Sequence, residues 1–175
     1  MKKIIAIALA LAMMLVLIPA GSVFAAKTDT VTITMTGGTL SIDVTPDDPY
    51  DFGEVVQDTS YTTTSVDAEY TLTNDGTVAA DIDIHGADTT GGTPNWALAA
   101  NPAGDTYALD FQRAAAPGWN SILTTDSNYM YDLASLGTDT FGLQLWTPTT
   151  ISDTANQQSA VITFTASQSL LPGAG

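Results

Sequence analysis

From residue 30 onward, apolar side chains alternate with hydroxyl-bearing and acidic ones. Val31, Ile33 and Met35 fall on one face of an extended segment, and Thr30, Thr32, Thr34 and Thr36 fall on the other. This is the two-residue period of a half-buried strand. Gly37-Gly38 supplies the backbone freedom of a tight turn, after which Leu40, Ile42 and Val44 alternate with Ser41, Asp43 and Thr45. A two-residue loop opposes Met35 to Leu40, Ile33 to Ile42 and Val31 to Val44, so every apolar residue meets an apolar partner. Residues 28–36 therefore read as one arm of an internal hairpin. A strand at a free chain end can also pair with the edge of another copy, and donated strands of that kind build extracellular filaments.

A second pair of segments follows the same logic. Val66, Ala68, Tyr70 and Leu72 alternate with Asp67, Glu69, Thr71 and Thr73. After the turn signal Asn74-Asp75-Gly76, Val78, Ala80, Ile82 and Ile84 continue, with Asp81, Asp83 and His85 pointing away. A three-residue loop pairs Leu72 with Val78 and Tyr70 with Ala80, which predicts a hairpin. The other arrangement places the two strands in different sheets, with the turn as the corner.

Later strands are shorter. Trp96, Leu98 and Ala100 mark one, and Trp96 shares the phase of Leu98 and is read as core. Tyr107, Leu109 and Phe111 mark another, ended by Ala114-Ala115-Ala116-Pro117-Gly118. Trp119 to Leu123 is a further candidate. Phe141, Leu143 and Leu145 alternate cleanly, and Ala160, Ile162, Phe164 and Ala166 close the domain. Polar loops are expected at 46–51, 86–95, 101–105, 124–128 and 147–158. No sustained 3.6-residue period occurs, and at most 128–136 forms a helical turn. Many short strands with regular turn signals, apolar on one face and Thr/Asp on the other, predict two antiparallel sheets on one core.

Ahead of this pattern stands a different one. Lys2 and Lys3, the apolar run Ile4 to Ile18, the breakers Pro19 and Gly21, and Val23-Phe24-Ala25 have the order of a secretory signal peptide. The run is shorter than the roughly 20 apolar residues of a spanning helix and ends in a cleavage pattern. Residues 1–25 are therefore expected to be removed, leaving residues 26–175 as a single domain that is secreted to the extracellular side or the cell surface. That leaves 150 residues, enough for one core without staples. The chain contains no cysteine, so neither a disulfide nor a thiolate metal site can hold it.

Charge narrows the partners. The processed chain keeps Lys27 and Arg113 against 19 acids, about −17. Such a chain repels phosphate backbones and anionic membranes, which argues against nucleic acid partners and against membrane binding once the signal is cleaved. No N-glycosylation sequon occurs. The end Leu170-Leu171-Pro172-Gly173 is similar to a sortase-type motif but has no threonine, hydrophobic tail or basic end after it, so covalent wall anchoring is not expected.

The stretch Asp51-Phe52-Gly53-Glu54-Val55, followed by Tyr70-Thr71-Leu72-Thr73-Asn74-Asp75-Gly76-Thr77, resembles the opening half of bacterial cell-surface immunoglobulin-like domains. With Trp96-Ala97-Leu98 after it, the order is also similar to the WxL domains of Gram-positive surfaces, which bind the cell wall without a covalent bond. The distal Thr-Trp-x-Leu of that family is replaced here by Thr163-Phe164-Thr165-Ala166. The resemblance covers most of residues 38–167 in order and few in identity. The fold it implies is all-β: an antiparallel two-sheet β-sandwich of immunoglobulin-like or jelly-roll type. A non-covalent cell-wall polysaccharide partner is implied by the resemblance alone.

Candidate chemistry is sparse. His85 is the only histidine, and no Gly-x-Ser-x-Gly elbow accompanies it. Only Glu54 and Glu69 are glutamates, whereas glycoside hydrolysis needs two carboxylates set across a cleft. A non-catalytic protein is expected. Asp47, Asp48, Asp51 and Glu54 share one short loop and offer hard oxygen ligands suited to Ca²⁺, although turn-forming aspartates around prolines produce the same pattern. Trp146 lies out of phase with Phe141, Leu143 and Leu145 and should face away from the core. With Trp119 it is the candidate sugar or partner surface. The sequence therefore predicts an exported structural or adhesive protein, self-assembling into a homo-oligomer or filament through edge strands. The alternative is a carbohydrate-binding module.

Overall fold

The structure, a computed structural model, describes residues 37–169. The chain divides into two units between Thr36 and Gly37, and the described residues belong to the second. The signal segment, the strand expected at 28–36 and its pairing with Leu40, Ile42 and Val44 lie outside the described residues.

Among the described residues every regular element is a strand. They are β1 Ile42–Thr45, β2 Ser60–Thr62, β3 Tyr70–Asn74, β4 Ala80–Gly86, β5 Ala97–Leu98, β6 Thr106–Arg113, β7 Ala116–Ile122, β8 Ser127–Leu133, β9 Thr138–Trp146 and β10 Ile162–Gln168. The larger sheet runs β1-β3-β9-β6-β5, with β2 also pairing β9 and β7 also pairing β6. Because β2 and β3 share one flank of β9, and β5 and β7 share one flank of β6, this sheet is five strand positions wide. The smaller sheet is β10-β4-β8. The result is an all-β, sandwich-like arrangement of two sheets. One ladder departs from the antiparallel expectation: β5 pairs β6 in parallel, Ala97 with Thr106 and Leu98 with Tyr107.

Alternation places the core. Leu109 pairs Leu145 and Phe111 pairs Leu143 across β6 and β9, and these side chains share one core with Ile82 and Ile84 of β4, both 0% exposed. Full burial of such a side chain contributes about 1.5–3 kcal/mol. Phe141 sits at the aromatic centre, its ring 5.3 Å from Tyr70, 5.3 Å from Phe164 and 5.7 Å from Tyr129. Trp96 and Leu98 are buried, as their shared phase predicts.

Three expectations are corrected. The turn at Asn74-Asp75-Gly76 does not close a hairpin: β3 belongs to the larger sheet and β4 to the smaller, so Leu72 pairs Val44 of β1 instead of Val78. The cause is Asn74 itself, fully buried. Its Nδ2 donates to the carbonyls of Val78, Leu133 and Ala134, and its Oδ1 accepts from the Gly76 N–H at 3.0 Å. This one side chain holds the corner where the chain changes sheets. Residues 128–136 hold no helical turn, since 127–133 form β8. Finally, Ala114 to Gly118 is not a loop throughout. The chain turns at Ala114-Ala115 and re-enters the sheet as β7 from Ala116, and Pro117 is tolerated because β7 is an edge strand.

A polar group is buried beneath β8. Arg113 Nε donates to Asp139 Oδ2 at 2.6 Å, and the Tyr129 hydroxyl donates to the same oxygen at 2.6 Å. The guanidinium also lies 5.0 Å from the Tyr129 ring centroid. Burial opposes the Arg113 charge, but the hydrogen bond and charge of Asp139 outweigh it and hold the guanidinium above its ordinary pKa. Burial, reinforced by Asp139, pushes the Tyr129 phenol up.

Candidate functional site

The two sheets differ in width, and the difference leaves part of the interior open. Among the described residues three strands face five positions. The inward residues of β1, Ile42 and Val44, and those of β10, Ile162, Phe164 and Ala166, are only half-buried. Between these two strands lies a groove of about 1550 Å³. Tyr70, Phe141, Leu143, Leu145, Tyr107 and Leu109 line it from the larger sheet, and Ile162 and Phe164 from β10. No residue of β4, β7 or β8 borders it. Both flanking strands are sheet edges: among the described residues β1 pairs only β3, and β10 pairs only β4. Each presents a row of backbone donors and acceptors without a strand partner.

The rim is acidic. Asp47, Asp48, Asp51 and Glu54 all line the mouth and are exposed. Asp51 Oδ1 accepts from the Gly53 N–H at 2.8 Å, and Gly53 adopts a φ of 69° that favours glycine. Among the described residues no three His, Asp or Glu side chains form a group that could hold a metal ion. Asp153 completes the rim. Its oxygens accept from the N–H of Thr93 at 2.6 Å, of Ala155 at 3.0 Å and of Asn156 at 3.2 Å, and from Asn156 Nδ2. The Thr93 N–H, then the Asn156 side chain and the Ala155 N–H, hold its carboxyl down at about 2. Asp153 thereby ties the loop before β10 to the loop before β5. The sequence offered one sign of this, an aspartate followed within three residues by the amides it caps.

Trp146 stands where its phase placed it. It is 39% exposed, on the face of the larger sheet opposite the core. Its Nε1 donates to Asp110 Oδ2 at 3.0 Å, which fixes the indole against the sheet. Trp119 is also exposed, but the two do not form one registered platform. Phe111 pairs Asn120 and Arg113 pairs Ala116, which leaves Pro117, Gly118 and Trp119 opposite Gln112 alone. Trp119 therefore projects from an irregular edge. His85 lies half-buried on the polar face as expected, its Nδ1 2.6 Å from Asp126 Oδ1. Neither Asp126 nor the pair Arg113–Asp139 was anticipated. The only sign of the second was that Arg113 is one of two cations left in the processed chain.

No protein-family model, curated protein or solved structure matches this chain.

Proposed function

We infer that this is an exported, non-catalytic structural or adhesive β-sandwich of immunoglobulin-like or jelly-roll type, acting at the cell surface or in the extracellular matrix, whose copies assemble through their edge strands. One observation carries the reading: among the described residues an apolar groove lies open between two strands that each have an unpaired edge. A contiguous apolar surface of this kind marks an interaction site, and a free strand edge is a template for another chain. The acidic balance suits a protein kept soluble outside the cell until it meets its own kind. Light scattering of the processed chain, beginning at Ala26, tests this. Multimers that grow with concentration are expected, and a monomer at all concentrations overturns the reading.

A second reading has its own observation. Trp146, exposed and fixed by Asp110, combines an aromatic face with a neighbouring carboxylate, as a sugar-binding surface does. A non-covalent cell-wall or carbohydrate-binding module would remain monomeric, co-sediment with polysaccharide and lose that binding on Trp146→Ala.

A further inference from the structure

We propose that the groove beside β10 is the seat of a strand donated by a second copy of this chain, namely residues 27–36 of that copy. This rests on the self-assembly reading and names the partner.

The groove is the right kind of space. At about 1550 Å³ it exceeds the roughly 300–1,000 Å³ of a small-molecule pocket, and it follows the unpaired edge of a strand. The pattern also matches. Ile162, Phe164 and Ala166 point inward from β10 and alternate with Thr163, Thr165 and Ser167. Val31, Ile33 and Met35 alternate in the same way with threonines. At about 3.3 Å per residue, both sets place one apolar side chain every two residues along the strand. Three therefore meet three across the interface, with the hydroxyl face outward.

Charge gives the direction. Lys27 and the amino group exposed by cleavage after Ala25 put positive charge at one end of the segment. The acids on the rim, Asp47, Asp48, Asp51, Glu54 and Asp153, belong to the loop that follows β1 and the loop that precedes β10. Opposite charges attract across this distance, so the segment lies parallel to β10 with Lys27 near its start.

The self-assembly reading assigns the segment to a second copy. Thr39 is fixed at the corner, its N–H donating to Thr77 Oγ1 at 2.9 Å and its carbonyl accepting from the Thr77 N–H at 2.9 Å. Gly38 is pressed against Val78, where a Cβ would stand 2.1 Å from Cγ1. Val78 leads into β4, and the Ala79 carbonyl accepts from the Ser169 N–H just beyond β10 at 3.1 Å, so this corner stands at the far end of β10. The chain's own residues 27–36 are therefore the competing occupant, and cross-linking distinguishes the two.

The chain has no cysteine of its own, so introduced cysteines report cleanly. A tagged processed chain carrying Thr30→Cys is mixed under mild oxidation with an untagged one carrying Thr163→Cys, with Thr165→Cys and Val161→Cys covering neighbouring registers. The expected result is a disulfide-linked tagged–untagged dimer. Pairing Thr30→Cys with Ser167→Cys should give at least tenfold less. In the full processed chain Ile33→Asp should shift the scattering mass to that of a monomer while its circular dichroism stays β-rich. The double variant Thr30→Cys/Thr163→Cys forming only internal cross-links would overturn the proposal in favour of the chain's own segment. Ile33→Asp assembling as well as the parent would sink the donated strand and leave self-assembly standing. A monomeric parent chain would end both.

Discussion

β4 and β10 are neighbours in one sheet with the same alternation, and their fates differ. Ala80, Ile82 and Ile84 of β4 are fully buried, whereas Ile162, Phe164 and Ala166 of β10, in the strand paired to it residue by residue, are only half-covered. The difference comes from what stands opposite. β4 lies between β10 and β8, with Leu98 and Ile122 of the larger sheet against its Gly86, while among the described residues β10 has a strand on one side only and borders the open groove. An apolar stripe states which face a strand offers for burial. Whether that face is buried depends on whether the opposite layer is wide enough.

Several substitutions test this contrast. The largest effect is expected from Ile84→Ala, which removes a fully enclosed side chain and should cost about 4 kcal/mol in urea unfolding. Arg113→Ala comes next. It strands Asp139, whose side chain is 6% exposed, without its cation, and should cost about 3 kcal/mol. An Arg113→Ala variant as stable as the parent would show that the closed half does not depend on its buried ion pair. Ile162→Ala on β10 should cost only about 1 kcal/mol in a dilute monomer, because the side chain is already partly wet. Its cost should approach that of Ile84→Ala once copies assemble, and equal costs in the monomer would erase the distinction between the two strands. The smallest effect concerns the rim. The Asp153 carboxyl is held at about 2, below its ordinary 3.8. Its contribution to stability is therefore complete above about pH 4 and is lost as the pH falls towards 2. Thermal melts from pH 5 to 2 should be shallower for Asp153→Asn than for the parent.

Much of the closed half was legible. Phe141, Leu143 and Leu145, the Tyr107–Phe111 strand and the phase of Trp96 and Trp146 come from a period of two, because a strand packed on one face must alternate. The errors have local causes. Asn74-Asp75-Gly76 has the composition of a hairpin turn, but composition does not reveal that the Asn74 side chain is turned inward to three carbonyls, two of them at the end of β8 and just beyond it. The available warning was that a two-residue loop would oppose Leu72 to Ala79 and Thr73 to Val78, mixing the two faces. In β8 the buried residues are Tyr129 and Leu133, four apart, which imitates a helix. Two register shifts against β4 put two extra residues into β8, and Asp132 there takes a φ of 55°. The groove was not legible at all, because the relative widths of two sheets depend on which strands pair, and pairing is settled by contacts far apart in the chain.

The burial of Arg113 has a consequence for proteolysis. Beyond Lys27 it is the only residue of the processed chain after which a trypsin-like protease can cut, and its guanidinium is locked beneath β8 against Asp139. The folded domain thus presents such enzymes with a single target, withheld from digestion until the sandwich opens there. Cutting at this site then reports how often that part of the fold opens.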